Sequence, residues 1–261
     1  MKRVRSILSI IVLSGLACAS TLGAPKAKPA PVCNAAAFRP VIDVGHTGYA
    51  PGAISARGVG EFDFNYRLAR RIEAALLEKG FAKTTLLVRT GPNRTGLLAR
   101  VAAANATRGD LLISVHHDSV PDDFIEKWEY EGAQGTYSDR FKGHSIFVSI
   151  DNPQYARSLA FARELGLALK ARGLEYTPHY TLPIMKSRRR TLVDPAAGVY
   201  RFDQLIMLKA TNMPAVLLEA GSIINRDEEL VMQSPERQAL VASAVAEAVE
   251  QFCATRGLPK S

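Results

Sequence analysis

From residue 39 onward, short apolar runs alternate with stretches in which apolar positions recur every three to four residues. RPVIDVG (39–45) is β-branched and closed by glycine, the pattern of a strand leading into a turn. FNYRLARRIEAALLEKG (64–80) sets Phe64, Leu68, Ile72 and Leu76 four residues apart, with Gly80 as a stop signal, and predicts an amphipathic helix. TTLLVRT (84–90) predicts a strand and TGLLARVAAANAT (95–107) a short helix. DLLISVH (110–116) is apolar on both faces, which places it centrally in a sheet covered on each side. HSIFVSI (144–150) and PAVLLEAG (214–221) are further strands, with the helix PQYARSLAFARELGLALKARG (153–173) between them. The last helix opens with Ser234 as cap and Pro235 in its first turn, and ends by Gly257. Strands alternating with helices predict an α/β fold of three layers: a mostly parallel central sheet of about six strands with helices on both faces. Two irregular stretches, about 119–143 and 174–212, interrupt the alternation and read as lids, binding loops or disordered segments.

The first residues follow a different rhythm. Lys2, Arg3 and Arg5 precede an apolar run from Ile7 to about Ala17, with small residues at Ala17-Cys18-Ala19. That run is short for a bilayer span, and the pattern reads as a secretory signal over 1–19. A retained membrane anchor and lipid anchoring through Cys18 are the alternatives. A Pro/Ala-rich linker follows over 20–38, and the main domain occupies 39–257. The chain is thus expected outside the cytoplasm, in a periplasm or beyond it, with no stable membrane insertion once the signal is cleaved. Cys33 and Cys253, one near each end, could then pair in an oxidising compartment or stay as two free thiols.

Composition adds little. Of 261 residues, 47% are hydrophobic and 22% charged, which argues against disorder. Without Lys2, Arg3 and Arg5, 30 basic residues face 25 acidic ones, a net charge of +5 that favours an anionic partner. Nucleic acid is not indicated, because KSRRR (186–190) is a single short basic run and reads as a solvated face.

The candidate chemistry lies where the strands end. VIDVGH delivers His46, LLISVH delivers His116 and PAVLLE delivers Glu219, while Glu61 opens the helix after the loop GHTGYAPGAISARGVGE. In open α/β sheets, ligands gather at the carboxyl ends of the strands. Two histidines and a carboxylate can hold a catalytic zinc with one position left open, and a second carboxylate can move a proton. Glu219, inside an apolar run, is costly to bury unless it is paired or bound.

These blocks resemble those of the zinc-dependent N-acetylmuramoyl-L-alanine amidases of the amidase-3 type. VIDVGHTGYAPGAISARGVGEFDFN is similar to that family's opening motif. RTGPNRTGLLARVAAANATRGDLLISVHHDS is similar to its second, and NMPAVLLEAGSIINRDEE to its third. The resemblance implies one catalytic Zn2+ held by His46, Glu61 and His116, with Glu219 as the catalytic carboxylate. It implies hydrolysis of the amide between N-acetylmuramic acid and L-alanine in peptidoglycan, with an activator protein as a further candidate partner. The rival readings are a zinc peptidase cutting stem-peptide bonds and a non-catalytic wall-binding or activator protein. His117 stands where the family has a small or polar residue. Successive strand side chains point to opposite faces, so a regular strand would not give both histidines to one ion. His117, Asn105 and Trp128 are candidate substrate contacts. Thr47, in place of the usual glycine, and Ser222-Ile223-Ile224, in place of an aromatic-containing run, are departures that bear on substrate contacts more than on the metal site.

Overall fold

The computed structural model describes residues 32–89, 91 and 93–255. The expected signal segment (1–19), residues 20–31 of the expected linker and residues 256–257 of the expected domain lie outside the described residues. In chain order the elements are β1 (Pro40–Val44), α1 (Glu61–Glu78), β2 (Thr85–Leu87), α2 (Asn93–Ala106) and β3 (Leu111–Asp118). The hairpin β4 (Glu126–Tyr130) and β5 (Ala133–Tyr137) comes next, then β6 (Ser145–Val148) and α3 (Tyr155–Lys170). After these come β7 (Thr191–Asp194), β8 (Val199–Arg201), α4 (Ile206–Lys209), β9 (Ala215–Ser222), α5 (Arg226–Gln233) and α6 (Pro235–Ala254).

Seven strands form the main sheet in the order β2-β1-β3-β9-β6-β8-β7. Four of them, β2, β1, β3 and β9, are mutually parallel, while β6 runs antiparallel to β9 and β7 antiparallel to β8. The three-layer α/β architecture is as expected. The sheet is nevertheless mixed, and besides the five strands named from the sequence it carries β7 and β8, which lie inside the stretch 174–212. The other irregular stretch, 119–143, contains the separate hairpin β4–β5.

The alternation along β3 explains its continuous apolar run. Leu111, Ile113 and Val115 join a core shared with α1, α3 and α6. Leu112 faces the opposite way, into a core completed by Val101 and Ala104 of α2 and Met207 and Leu208 of α4. In β9, Val216 and Leu218 belong to the first core and Ala215 and Leu217 to the second. Both faces are therefore dry, and only the strand ends can reach solvent. At about 25 cal/mol per Å2, such burial is the main force holding the layers together.

The chain ends are tied together. Cys33 and Cys253 form a disulfide, with Cα atoms 5.0 Å apart, joining the segment before β1 to the last turn of α6. Ser234 caps α6, its hydroxyl accepting the Arg237 amide at 3.2 Å. Among the described residues, no helix is long and apolar enough to cross a membrane.

Candidate metal and catalytic site

The site is assembled where β1, β3 and β9 end. β1 hands over to Gly45 and His46, and His46 adopts φ 63°, in the left-handed region that a side chain enters at a cost. The turn is locked by Thr47, whose hydroxyl accepts the Ala50 amide and donates to the Gly91 carbonyl, both at 2.9 Å. Thr47 thus has a local structural use. Two glycines let the groups close up. A Cβ on Gly45 would lie 2.5 Å from the His116 imidazole, and one on Gly52 (φ 81°) would lie 2.5 Å from Glu61 Oε2.

Glu61 is the first residue of α1, where the helix dipole favours a carboxylate. Its Oε2 lies 3.0 Å from His46 Nε2 and its Oε1 2.9 Å from His116 Nδ1. Glu61 also accepts backbone amides, from Ala53 at 3.2 Å and His117 at 3.3 Å. One ligand atom from each of His46, Glu61 and His116 falls within a mutual 4.8 Å. Burial pushes the Glu61 carboxyl up, but hydrogen bonds from His116 and His46 outweigh it and hold the group well below its ordinary range.

Glu219 pairs with His116 across the parallel ladder, so both side chains emerge on one face at one level. The residue is half-buried, yet its Oε2 is shut away from solvent and has no hydrogen-bond partner within the protein. Burial, reinforced by the carboxylates of Asp118 and Glu61, raises its affinity for a proton well above that of an ordinary glutamate. Burial also lifts Asp118 to about 7, against a 2.7 Å hydrogen bond from the Tyr180 hydroxyl and one from the Ser119 amide. Beside the two histidines runs a groove of about 470 Å3, walled by Leu97, Leu98, Leu205, Ile206, Met207 and Leu217.

The structural blocks point to one family. Its sequence profile, described as N-acetylmuramoyl-L-alanine amidase, matches residues 41–251. The chain belongs to the N-acetylmuramoyl-L-alanine amidase family. The substrate class of this amidase is therefore peptidoglycan, and its reaction is hydrolysis of an amide. A Buchnera aphidicola protein assigned as such an amidase is 37% identical over 222 residues, covering 78% of this chain and 90% of that one. Among solved structures, the amidase Ami1 of Mycobacterium smegmatis superposes with a TM-score of 0.65 at 20% identity, covering 85% of this chain and all (100%) of that one. The CwlD amidase of Clostridioides difficile, in complex with the GerS lipoprotein, gives 0.58 at 16% identity, covering 82% and 98%.

Three further candidates of the amidase lie elsewhere or do other work. His117 faces away from His116, as strand alternation requires; it is buried against the Phe64 ring, with Nδ1 2.8 Å from Asn65 Oδ1. Burial lowers it to about 4, so it stays neutral near pH 7. Asn105 sits on the last turn of α2, near the strands' amino ends. Its amide group donates to the Ala210 carbonyl at 3.2 Å and accepts from the Asn212 amide at 2.9 Å. It is a latch at the far end of the sheet, five residues of strand from the site. Trp128 is engaged by its own surroundings: its indole N–H donates to the Ala56 carbonyl at 3.0 Å, Tyr130 stacks on it at 5.2 Å, and the Arg57 and Arg226 guanidiniums lie over its ring. It pins the hairpin to the loop before α1.

Asn65 is the residue that sequence reasoning passed over. The signal was present: it stands four residues after Glu61 and so lies on the same face of the helix. The basic run 186–190 is absorbed locally: Lys186 pairs with Asp123 at 2.8 Å, and the Arg190 guanidinium lies 3.7 Å over Phe202.

Proposed function

We propose that the chain is an exported, zinc-dependent hydrolase that cleaves the amide joining the lactyl group of N-acetylmuramic acid to L-alanine. The observation carrying this reading is the convergence of His46, Glu61 and His116 with Glu219 directly across the ladder from His116. Two imidazole nitrogens and a carboxylate oxygen within 4.8 Å form a donor set suited to zinc, and three protein ligands are the number a catalytic zinc site uses. When bound there, zinc would supply a Lewis acid for the amide carbonyl and acidify a water for attack near neutral pH.

The protein's own part is proton handling and orientation. Glu219, whose affinity for a proton is raised by burial and by the carboxylates of Asp118 and Glu61, would take a proton from the attacking water and pass it to the departing L-alanine amine. Positioned proton transfer of this kind contributes about 100- to 10,000-fold to rate. Glu61 stays ionised and holds both imidazoles in register. The apolar groove gives uncharged parts of the substrate a dry wall beside the scissile bond. The signal-like segment 1–19 and the Cys33–Cys253 disulfide support export to an oxidising compartment, periplasmic or extracellular. The CwlD complex with a lipoprotein supports a partner protein for this amidase as well.

Digestion of purified peptidoglycan, with products read by mass spectrometry, tests the reading. Stem peptides with a free L-alanine amino terminus are expected from the parental protein. Glu219→Gln should be folded and at least about 100-fold slower. Cleavage within the stem, or parental activity in Glu219→Gln, would contradict it.

A further inference from the structure

The three ligands come from three separate segments: His46 from the turn after β1, Glu61 from α1 and His116 from β3. One buried side chain that is not itself a ligand, Asn65, touches all three segments. Asn65 lies one helical turn after Glu61 and is fully buried. Its amide nitrogen donates to Glu61 Oε1 at 3.1 Å and to the Gly45 carbonyl at 3.2 Å. Its amide oxygen lies 2.8 Å from His117 Nδ1. Both amide hydrogens are therefore spent on oxygens, which fixes the oxygen as the acceptor and gives the Nδ1 proton to His117. The three groups that Asn65 touches are Glu61 itself, the residue before His46 and the residue after His116.

Resting on the zinc reading of this site, we propose that Asn65, held in orientation by His117, is a positioning residue that sets the geometry of all three metal ligands. Three observations carry this. Glu61 has two oxygens that could rotate between partners, and Asn65, together with the His117 amide at 3.3 Å, fixes Oε1 from behind. The Gly45 carbonyl is the last backbone group before the strained His46, so gripping it sets where that imidazole points. The fit is close, since a Cβ on Gly45 would stand 2.7 Å from the Asn65 amide nitrogen and 2.5 Å from the His116 ring. His117 thus has a use on the face turned away from the metal. Groups that orient ligands in this way are worth about 10- to 100-fold in metal affinity.

The test is zinc affinity, measured by competition with a chromophoric chelator on the full chain. The melting temperature of the zinc-free protein is recorded in parallel. Asn65→Leu removes both donors and should weaken zinc binding about 10- to 100-fold. Asn65→Asp is isosteric, turns an acceptor toward Glu61, and should do the same; it replaces Asn65→Leu if that variant does not fold. His117→Leu should also weaken zinc. His117→Asn, whose amide nitrogen can stand where Nδ1 stood, should restore affinity to within about threefold whatever the zinc-free melting temperature, an outcome that a merely structural role would not give. Parental affinity in Asn65→Leu and Asn65→Asp overturns the proposal, and so does a His117→Asn as weak as His117→Leu. A parental protein that binds no zinc overturns the reading of the site itself, which separates the two failures.

Discussion

Beneath the site, Arg100 of α2 reaches into the sheet and meets Asp43 of β1, three residues before His46. Its Nε donates to Asp43 Oδ1 at 2.9 Å, its Nη2 donates to Oδ2, and the Ser114 hydroxyl adds a 2.7 Å bond. Side-chain exposure is 4% for the arginine and 0% for the aspartate, so solvent screens almost none of this pair. Replacing Arg100 with leucine leaves a buried carboxylate with one hydroxyl for company. Breaking a buried pair from one side costs about 3–5 kcal/mol. For a chain of this length that lowers the melting temperature by roughly 2–4 °C per kcal/mol. Urea denaturation at pH 7 is the assay, with Arg100→Leu compared with Asp43→Val/Arg100→Leu. The double variant removes both charges and should recover most of the loss, because an apolar pair of similar volume is often neutral in such a place. A loss below about 1 kcal/mol in the single variant, or a double variant as unstable as the single, would refute the reasoning.

Other consequences follow from the same geometry. Burial lowers His144 and His179 to about 4, so they stay neutral in the native chain while unfolded histidines gain protons below about 6.5. The unfolded state then binds more protons, and stability should fall as pH drops from about 6.5 toward 4; urea midpoints at pH 7 and 5 should differ less in a His144→Gln/His179→Gln variant. Reducing the Cys33–Cys253 disulfide, which closes 220 residues, should cost about 2–5 kcal/mol, read as a lower melting temperature with dithiothreitol and no such response in Cys33→Ser. Gly52→Ala should abolish chelator-sensitive metal binding, since its Cβ would strike Glu61 and His46 and its φ is positive; full zinc retention would show that the turn is more pliable than drawn.

How far the sequence could be read depended on whether hydrophobic rhythm or side-chain partnership decided the matter. The long apolar strands and the helix bearing Phe64, Leu68, Ile72 and Leu76 were legible, because burial on a 2- or 3.6-residue period is what forms them. Strand-end placement brought His46, His116 and Glu219 into view, and alternation correctly separated His117 from His116. The short strands β7 and β8, of four and three residues, gave no period to detect, so the sheet's mixed edge was missed. The hairpin β4–β5 is largely exposed and polar, and it hid in the same way. Asn105 and Trp128 were candidates by residue type and position alone; their hydrogen bonds to Ala210, Asn212 and Ala56 link residues far apart in sequence, which no local pattern encodes. Asn65 was missed for the related reason that its partners, Gly45 and His117, come from other segments.

Metal content of the purified protein, measured by inductively coupled plasma mass spectrometry after dialysis against trace zinc, tests the ligand set of His46, Glu61 and His116 most directly. One zinc per chain is predicted, falling to about a tenth or less in His46→Ala, Glu61→Ala and His116→Ala. A metal-free parental protein, or variants that keep their zinc, would contradict it.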